Sequence, residues 1–272
     1  MEFEKWQGCG NDFVLIDRLN GGSIDGIDVK TLCDRHFGVG ADGVILSLPS
    51  TIADVRMQMF NPDGSEAEMC GNGIRCFAKF LLEHRLVDKK IIPIETGAGV
   101  LSVELVGDNV KVDMGEPILE GERIPVLGFG NDRIIDAPIA IDGREYRMTC
   151  VSMGNPHCVV FVDSIKDVDL ARLGPKFETH EKFPRKINTE FVEVLDRSTL
   201  RMRVWERGAG ITLACGTGAC ATAAAGVLSG RSERRVKLIL DGGELELDWS
   251  DSDNHVRMTG AARKVFDGRW QD

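Results

Sequence analysis

The chain carries RMQMFN at residues 56–61 and CGNG at residues 70–73, and both stretches occur a second time. The second copies are RMRVWE at residues 201–206 and CGTG at residues 215–218. The two cysteines, Cys70 and Cys215, are 145 positions apart (215 minus 70). The same spacing, give or take one residue, pairs Gly10-Asn11 with Gly154-Asn155, Gly99 with Gly243, and Met114 with Met258. The sequence is therefore an internal duplication.

The duplication predicts two pseudo-symmetric lobes. We place the N-terminal lobe at residues 1–117 and the C-terminal lobe at residues 118–260, with the crossover in segment 117–141, which is rich in Gly, Pro and Asn. The tail, residues 261–272, lies beyond the second copy and carries Val265, Phe266 and Trp270, so we expect it to pack back on the first lobe. Equivalent residues of two such lobes would approach a shared cleft from both sides.

Short alternating or β-branched runs predict strands at residues 13–16, 43–46, 90–94, 99–105 and 110–114. Helical patterns are fewer, and they lie at residues 30–36, 72–86, 167–182 and 217–229. Because the strands follow one another directly instead of alternating with helices, the pattern predicts an α+β fold. We expect each lobe to form a mixed or mostly antiparallel sheet around one central helix.

The composition narrows the class of function. A net charge of −10 argues against nucleic acid or an anionic membrane surface as the main partner. No apolar run approaches the roughly 20 residues of a membrane span. The N-terminus lacks the basic and then apolar order of a signal peptide, so we predict a cytoplasmic location with reduced cysteines. No metal site is expected, because the usual zinc spacings of cysteine and histidine are missing.

Cys70 and Cys215 each stand just before a predicted helix. The N-terminus of a helix gathers free backbone N–H groups and about half a positive charge, which stabilise a thiolate and bind a carboxylate. Two opposed thiols suit a reaction in which a carbon loses a proton from one face and regains it on the other. Two further interpretations are open: buried cysteines that serve only packing, or a disulfide that forms under oxidation. Packing alone is the interpretation for the remaining cysteines: Cys9, Cys33, Cys76, Cys150, Cys158 and Cys220.

NPDGS at residues 61–65, followed by CGNGIR at 70–75, closely resembles the signature of diaminopimelate epimerase. Five further blocks resemble that family: GNDF at 10–13, MGEP at 114–117, SMGNPHC at 152–158, ERGAG at 206–210 and ACGTGAC at 214–220. Proline racemases, which place a histidine where this chain has Asn72, and phenazine-type isomerases, which lack the cysteine pair, fit less well. The resemblance implies a cofactor-independent enzyme that interconverts LL- and meso-2,6-diaminopimelate in lysine and peptidoglycan precursor biosynthesis.

Carried over residue by residue, the resemblance makes Cys70 and Cys215 the two acid/base thiols. It assigns the reacting carboxylate to the amides of Gly71, Asn72, Gly216 and Thr217. It assigns recognition of the substrate's other amino and carboxylate groups to Asn11, Asn61, Asn155, Asn188, Glu206 and Arg207. His157 and Glu206 are predicted to adjust the protonation of the thiols. The family further implies a homodimer, and neither pyridoxal phosphate nor a metal is expected.

Three residues depart from the family pattern. Ile211 stands where many relatives carry glutamate, and we interpret it as local packing. Gly43 stands where some carry a ligand-contacting glutamine, and we interpret it as the loss of one optional contact. Cys9 replaces a more usual apolar residue.

Two alternatives remain open at this point. The first is another cofactor-independent racemase of the same fold, acting on a different amino acid; Arg207 and the asparagines favour a substrate with a second amino acid head group. The second is a redox protein that switches between thiol and disulfide, which would need a resolving cysteine but no oriented carboxylate sites.

Overall fold

The computed structural model describes residues 1–271 of the chain. Its contacts divide the chain into two compact units. Unit 1 comprises residues 1–113 together with the residues from Thr259 onward, and unit 2 comprises Met114–Met258.

The chain forms many short strands and few helices. The strands are β1 (Glu2–Gly8), β2 (Asn11–Asp17), β3 (Gly43–Leu48), β4 (Val55–Phe60), β5 (Glu66–Ala67), β6 (Ile91–Thr96), β7 (Gly99–Val106), β8 (Asn109–Asp113), β9 (Ala137–Ile141), β10 (Arg144–Ser152), β11 (Pro156–Val162), β12 (Asn188–Asp196), β13 (Thr199–Glu206), β14 (Gly210–Thr212), β15 (Arg235–Leu240), β16 (Gly243–Trp249), β17 (Val256–Ala261) and β18 (Arg263–Arg269). The α-helices are α1 (Val29–Cys33), α2 (Gly71–Glu83), α3 (Leu170–Glu178) and α4 (Gly216–Leu228).

The two units repeat one pattern of strand pairing. In unit 1, β2–β3 and β4–β6 are parallel, whereas β3–β4, β4–β5 and β6–β7 are antiparallel. In unit 2, β11–β12 and β13–β15 are parallel, whereas β12–β13, β13–β14 and β15–β16 are antiparallel. The duplication and the mixed sheets predicted from the sequence are thereby confirmed. In unit 1 the C-terminal strand β18 also pairs with β1.

Each unit has one buried helix against its strands. Helix α2 is amphipathic, packs on β1, β2, β3 and β8, and buries Ile74, Phe77, Phe80 and Leu81. Helix α4 packs on β10, β11, β12, β15 and β16, and its run of alanine and glycine lets the backbone approach these strands closely. The expected central helix of each lobe is therefore present.

Two predicted helices are shorter than expected. Helix α1 ends at Cys33, because the carboxylate of Asp34 accepts hydrogen bonds from the amides of His36 and Phe37 and so closes a turn. Helix α3 starts after a 3₁₀ turn at Ile165–Asp167 and ends at Glu178, three residues beyond Pro175.

The predicted crossover is partly wrong as well, since its last residues form β9, which pairs with β10.

Candidate active site

Cys70 is the residue that caps the start of α2. Its backbone is extended (φ −140°, ψ 120°), and its Sγ accepts a hydrogen bond from the amide of Gly73 at 3.4 Å. The thiol can donate to Oδ1 of Asn11 at 3.6 Å, and Nδ2 of Asn72 donates to the same oxygen at 3.3 Å. The predicted position at a helix N-terminus is thus confirmed. The structure also brings two of the predicted binding asparagines to this thiol.

A buried cation lies in the same helical turn. Arg75 is fully buried, donates from Nη1 to the carbonyl of Gly71 at 3.0 Å, and donates from Nη2 to Oδ1 of Asn72 at 2.9 Å. Its Nη2 also lies 3.6 Å from Sγ of Cys9, whose backbone is left-handed (φ 53°). Sequence reasoning gave Arg75 no role, although it closes the motif at residues 70–75. It fixes the residues that flank Cys70 and places positive charge beside them.

The other predicted binding residue of unit 1 lies in a separate turn. The backbone N–H and the side-chain amide of Asn61 both donate to Ser65, to its carbonyl at 2.8 Å and its Oγ at 3.0 Å, as the turn sequence NPDGS indicates. Nδ2 of Asn11 donates to Asp42 at 2.7 Å, which anchors the asparagine that faces Cys70.

Cys215 caps the start of α4 in the equivalent way. Its backbone is extended (φ −124°, ψ 115°), and its Sγ lies 3.5 Å from Oγ1 of Thr217. Burial raises the pKa of this thiol well above its ordinary value, and the carboxylates of Glu206 and Glu190 raise it further. The helix-terminus position is confirmed, but the expectation of a stabilised thiolate is wrong for Cys215. Desolvation and two nearby acidic groups outweigh the helix dipole, and the sulfur stays protonated at neutral pH.

Beneath α4 lies a buried chain of polar side chains. Nδ1 of His157 is 2.7 Å from Oε1 of Glu190, and Nε2 of the same ring is 2.9 Å from Oδ1 of Asn155. Both His157 and Glu190 are fully buried. The structure thus joins the predicted binding residue Asn155 to the predicted thiol-tuning residue His157. Sequence reasoning missed Glu190. The signal that could have revealed it is the repeat spacing, which puts this acid where unit 1 has Ile45.

Asn188 supports the segment that carries the predicted grip on the distal carboxylate. Its Oδ1 accepts from the backbone amide of Arg207 at 2.9 Å, and its Nδ2 donates to the carbonyl of Pro156 at 2.8 Å. The guanidinium of Arg207 is exposed and donates to the carbonyl of Arg185 at 3.1 Å. Its neighbour Glu206 accepts a hydrogen bond from Thr212 at 2.5 Å.

Two departures from the family pattern receive a structural account. Ile211 is 45 % exposed, so the interpretation of this residue as local packing is wrong. At Gly43, an added Cβ would lie 2.7 Å from the carbonyl oxygen of Phe60 and 3.2 Å from the methyl of Met59. Any side chain at this position would therefore collide with the neighbouring strand, which explains why the position holds glycine here.

Further features bear on cofactors and setting. All eight cysteines lie among the described residues 1–271, and none of them forms a disulfide bond. Among residues 1–271, no group of three or more His, Cys, Asp or Glu side chains is arranged to hold a metal ion. Within the same described part of the chain, no helix is long and apolar enough to cross a membrane.

Comparison with solved structures shows the fold. The chain superimposes on a phenazine biosynthesis protein of the PhzF family from Bacillus anthracis with a TM-score of 0.72 at 16% identity, covering 100% of this chain and 99% of that one. It superimposes on a hydroxyproline epimerase from Agrobacterium vitis with a TM-score of 0.69 at 16% identity, covering 98% and 90%. Both likenesses agree with the two-lobed fold that the repeat predicts.

Comparison with protein sequences shows the family. The model of the family described as diaminopimelate epimerase matches residues 3–120 and 149–265. A diaminopimelate epimerase of Synechocystis is 52% identical over 274 residues, which cover 99% of this chain and 98% of the relative. A chloroplastic diaminopimelate epimerase of rice is 52% identical over 281 residues, which cover 98% of this chain and 79% of the relative. The resemblance drawn from the motifs is confirmed: the chain belongs to the diaminopimelate epimerase family, whose members are isomerases of an amino acid that work without pyridoxal phosphate.

Proposed function

We propose that this chain interconverts LL-2,6-diaminopimelate and meso-2,6-diaminopimelate, in lysine and peptidoglycan precursor biosynthesis, with Cys70 and Cys215 as its two acid/base groups. The observation that carries the proposal is that each unit places one cysteine at the cap of a buried helix. Family membership supports the substrate, since the relatives at about 50% identity are named for it.

The proposed reaction moves one proton on and one proton off the same carbon. A thiolate removes the α-proton, and the electron pair of the C–H bond moves into the α-carboxylate. The thiol on the opposite face then gives its proton to the carbon, which inverts the configuration. Afterwards the first sulfur is a thiol and the second is a thiolate, so the reverse reaction uses the same pair with exchanged roles.

The helix termini supply the stabilisation that this carbanion needs. As the proton leaves, negative charge builds up on the α-carboxylate, and backbone N–H groups aimed at it bind the transition state more strongly than the ground state. The proposed donors are the amides of Gly71, Asn72, Gly216 and Thr217, which form the first turns of α2 and α4. No cofactor takes part in these steps.

The two thiols are proposed to differ in their electrostatic surroundings. Cys215 rests as the thiol, because burial and the nearby acids Glu206 and Glu190 raise its pKa. In unit 1, by contrast, the buried cation of Arg75 lies in the helical turn that Cys70 caps. A pair in opposite protonation states is what one proton abstraction and one proton donation require.

Recognition of the rest of the substrate is proposed to fall to polar side chains around the two caps. Arg207, with its exposed guanidinium, suits a bidentate grip on the distal carboxylate. Asn11 lies beside Cys70, and Asn155 forms a hydrogen bond with the buried ring of His157. Asn61 and Glu206 occupy equivalent positions of the repeat. Asn188 is proposed to contribute by orienting Arg207.

The proposed setting is the cytoplasm, where two working thiols stay reduced. We propose a homodimer as the working form. Val265 and Phe266 on β18 are 55 % and 45 % exposed and would supply apolar surface to a second copy. Sedimentation of the protein at micromolar concentration should give a mass near twice 29.9 kDa, whereas a monomer mass would contradict this part of the proposal.

The experiment that tests the function follows deuterium. Reduced protein is incubated with LL-diaminopimelate in D₂O, and label at the α-carbon is measured together with the meso isomer. The intact protein should do both. Cys70→Ala and Cys215→Ala should lose interconversion, while Cys33→Ala, which removes a buried cysteine far along the chain from both motifs, should keep it. Intact protein that neither exchanges nor epimerises this substrate, but acts on proline or hydroxyproline, would move the substrate to another amino acid of the same fold family.

A further inference from the structure

The two cysteine-capped helices rest on different side chains. An added Cβ at Gly73 of α2 would lie 3.0 Å from Cδ1 of Ile45, 3.4 Å from Cβ of Cys70 and 3.5 Å from Cζ of Phe13. An added Cβ at the equivalent Gly218 of α4 would lie 2.5 Å from Oε1 of Glu190 and 3.3 Å from Cβ of Cys215. The space below the helix start is thus apolar in unit 1 and acidic in unit 2.

The repeat shows that these residues are true counterparts. Glu190 follows Ile45 by 145 positions (190 minus 45), the spacing of the two cysteines. Strand register gives the second pair: Phe13 stands opposite Gly43 in the parallel pair β2–β3, and His157 stands opposite Asn188 in the parallel pair β11–β12. A buried isoleucine and phenylalanine in unit 1 therefore correspond to a buried glutamate and histidine in unit 2.

Packing gives no reason for the polar pair. The apolar pair of unit 1 fills the same place in the same fold, and both of its members are fully buried. The carboxyl of Glu190, by contrast, has one oxygen, Oε2, that is buried without a hydrogen-bond partner among the described residues. A buried polar atom left in this way lowers the stability of the fold. A feature that costs stability and is absent from the twin unit points to function.

Two hydrogen bonds hold the ring of His157. Since Oδ1 of Asn155 only accepts, Nε2 of His157 carries a hydrogen and donates to it. Burial raises the pKa of Glu190, and the neighbouring His157 offsets this only in part. Oε1 of Glu190 and Nδ1 of His157 are joined by a hydrogen bond of 2.7 Å. The other titratable groups that act on Glu190 or on Cys215 are Glu206 from β13 and Cys158 from β11.

We propose that Glu190 is a positioning residue for the epimerisation: it locks the ring of His157, and through that ring it holds the amide of Asn155 in place for the substrate next to Cys215. This inference rests on the proposed function. Glu190 does not touch the substrate. It sets one tautomer of His157, and that tautomer presents a single donor to a single oxygen of Asn155. Gly218 is part of the device, because any side chain there would push the carboxyl aside.

The test uses the full-length protein with three substitutions on β12. Glu190→Gln keeps the shape and can still form a hydrogen bond with Nδ1. Glu190→Leu keeps the bulk and cannot form this hydrogen bond. Thr189→Val is the matched control, since Thr189 is a fully buried neighbour on the same strand whose Oγ1 also lacks a partner, but its side chain points to the other face of the sheet. The readouts are the ¹⁵N ring spectrum of His157, the thermal midpoint, and kcat and KM for diaminopimelate.

The wild type, Glu190→Gln and Thr189→Val should show the Nε2–H tautomer of His157 and a kcat/KM within about fivefold of each other. Glu190→Leu should lose that tautomer and about 100-fold in kcat/KM, the cost of a misplacement of roughly 1 Å near a reacting group. Unchanged ring signals and activity in Glu190→Leu would overturn the proposal. Because the ring spectrum needs no substrate, a wild type that does not epimerise diaminopimelate rejects the proposed function while the spectrum still decides the role of Glu190.

Should Glu190→Leu fail to fold, the double substitution Glu190→Ile with His157→Phe replaces it. This variant copies the apolar pair of unit 1 into unit 2. It should fold with a thermal midpoint at or above that of the wild type and lose at least about 100-fold in kcat/KM. Activity within a few-fold of the wild type would overturn the proposal, because the polar pair would then serve no purpose in the reaction.

Discussion

The substitution Gly218→Ala probes the support of Cys215 with a single methyl group. Neither Gly218 nor its counterpart Gly73 has a left-handed backbone, so alanine strains neither position. In an exposed helix, alanine would stabilise by up to about 1 kcal/mol over glycine. Any loss on substitution must therefore come from what the new methyl group contacts.

The contacts of the two methyl groups differ in kind. At Gly218 the methyl carbon would lie 2.5 Å from Oε1 of Glu190, so the carboxyl has to retreat by about 0.9 Å to reach ordinary contact. That retreat stretches the 2.7 Å hydrogen bond to His157 beyond hydrogen-bonding range. At Gly73 the methyl would meet Cδ1 of Ile45 at 3.0 Å, the free end of a flexible side chain, which needs to move by only a few tenths of an ångström.

The expected magnitudes follow from these displacements. In Gly218→Ala, the broken buried hydrogen bond costs about 1–3 kcal/mol, which the helix propensity of alanine offsets by up to about 1 kcal/mol. The net loss of stability should be about 0–2 kcal/mol, and kcat/KM should fall about 100-fold. Gly73→Ala should change stability by less than about 1 kcal/mol and reduce kcat/KM much less.

Urea unfolding and initial rates of LL-to-meso conversion measure both quantities on the same samples. A Gly218→Ala protein that is more stable than the wild type and equally active would refute the reasoning, because the methyl group would then have found room without moving Glu190. Equal losses in the two glycine variants would also contradict the prediction, because an acidic and an apolar support should respond differently to the same methyl group.

Three further predictions concern stability. Burial raises the pKa of Cys76 to about 12, so above about pH 9 the unfolded chain loses a proton that the folded protein keeps. This thiol should therefore lower the free energy of unfolding by about 1.4 kcal/mol per pH unit up to about pH 12. Urea titrations of Cys76→Ala should lack this contribution to the slope. Burial raises the pKa of Glu4, but hydrogen bonds from Lys264 and Trp6 outweigh this effect and hold the pKa below 4.5. The ionised carboxylate of Glu4 therefore stabilises the fold fully above about pH 4.5, and this stabilisation is lost as the pH falls through the lowered pKa. Urea unfolding of Glu4→Gln should lack this stabilisation at all pH values. Ile211→Glu should change stability by no more than about 0.5 kcal/mol, because the side chain is exposed, and a loss above 2 kcal/mol in the same assay would show that Ile211 packs after all.

The sequence predicted those features that depend on local pattern or on repetition. The repeat gave the duplicated fold, and Cys-Gly before a helical pattern gave the positions of both thiols at helix caps. The protonation of Cys215 could not be read in this way, because it depends on burial and on acids that come from two separate strands. The exposure of Ile211 could not be predicted either, because it depends on the position of its strand in the sheet.

Glu190 shows the limit most clearly. In the strand sequence NTEFVEV, Glu190 resembles a solvent-facing residue of an ordinary amphipathic strand. No neighbouring residue in the sequence indicates that its side chain is fully buried. Only the spacing of the repeat reveals that its counterpart is the core residue Ile45. An acid in the place of a core residue of the twin unit is a signal that a single, unrepeated domain could not have offered.

The duplication itself poses a problem that charge can solve. Two identical lobes would give their thiols the same affinity for a proton, yet the proposed reaction needs one sulfur with a proton and one without. Three ionisable residues near the two helix starts differ between the units. Each has a counterpart at the repeat spacing that is not ionisable as an acid or a base of the same kind: Arg75 of unit 1 matches Cys220, Glu190 of unit 2 matches Ile45, and Glu206 of unit 2 matches Asn61.

These three differences act in the same direction. The cation of Arg75 adds positive charge near the helix start of unit 1, and acids in unit 2 favour a thiol. The backbone and the caps can therefore remain alike in the two units, which keeps the amides that we propose for carboxylate binding equivalent. The difference between the thiols is confined to side chains that the substrate need not touch. On this reasoning, a variant that makes the two supports alike should keep the fold and lose the reaction.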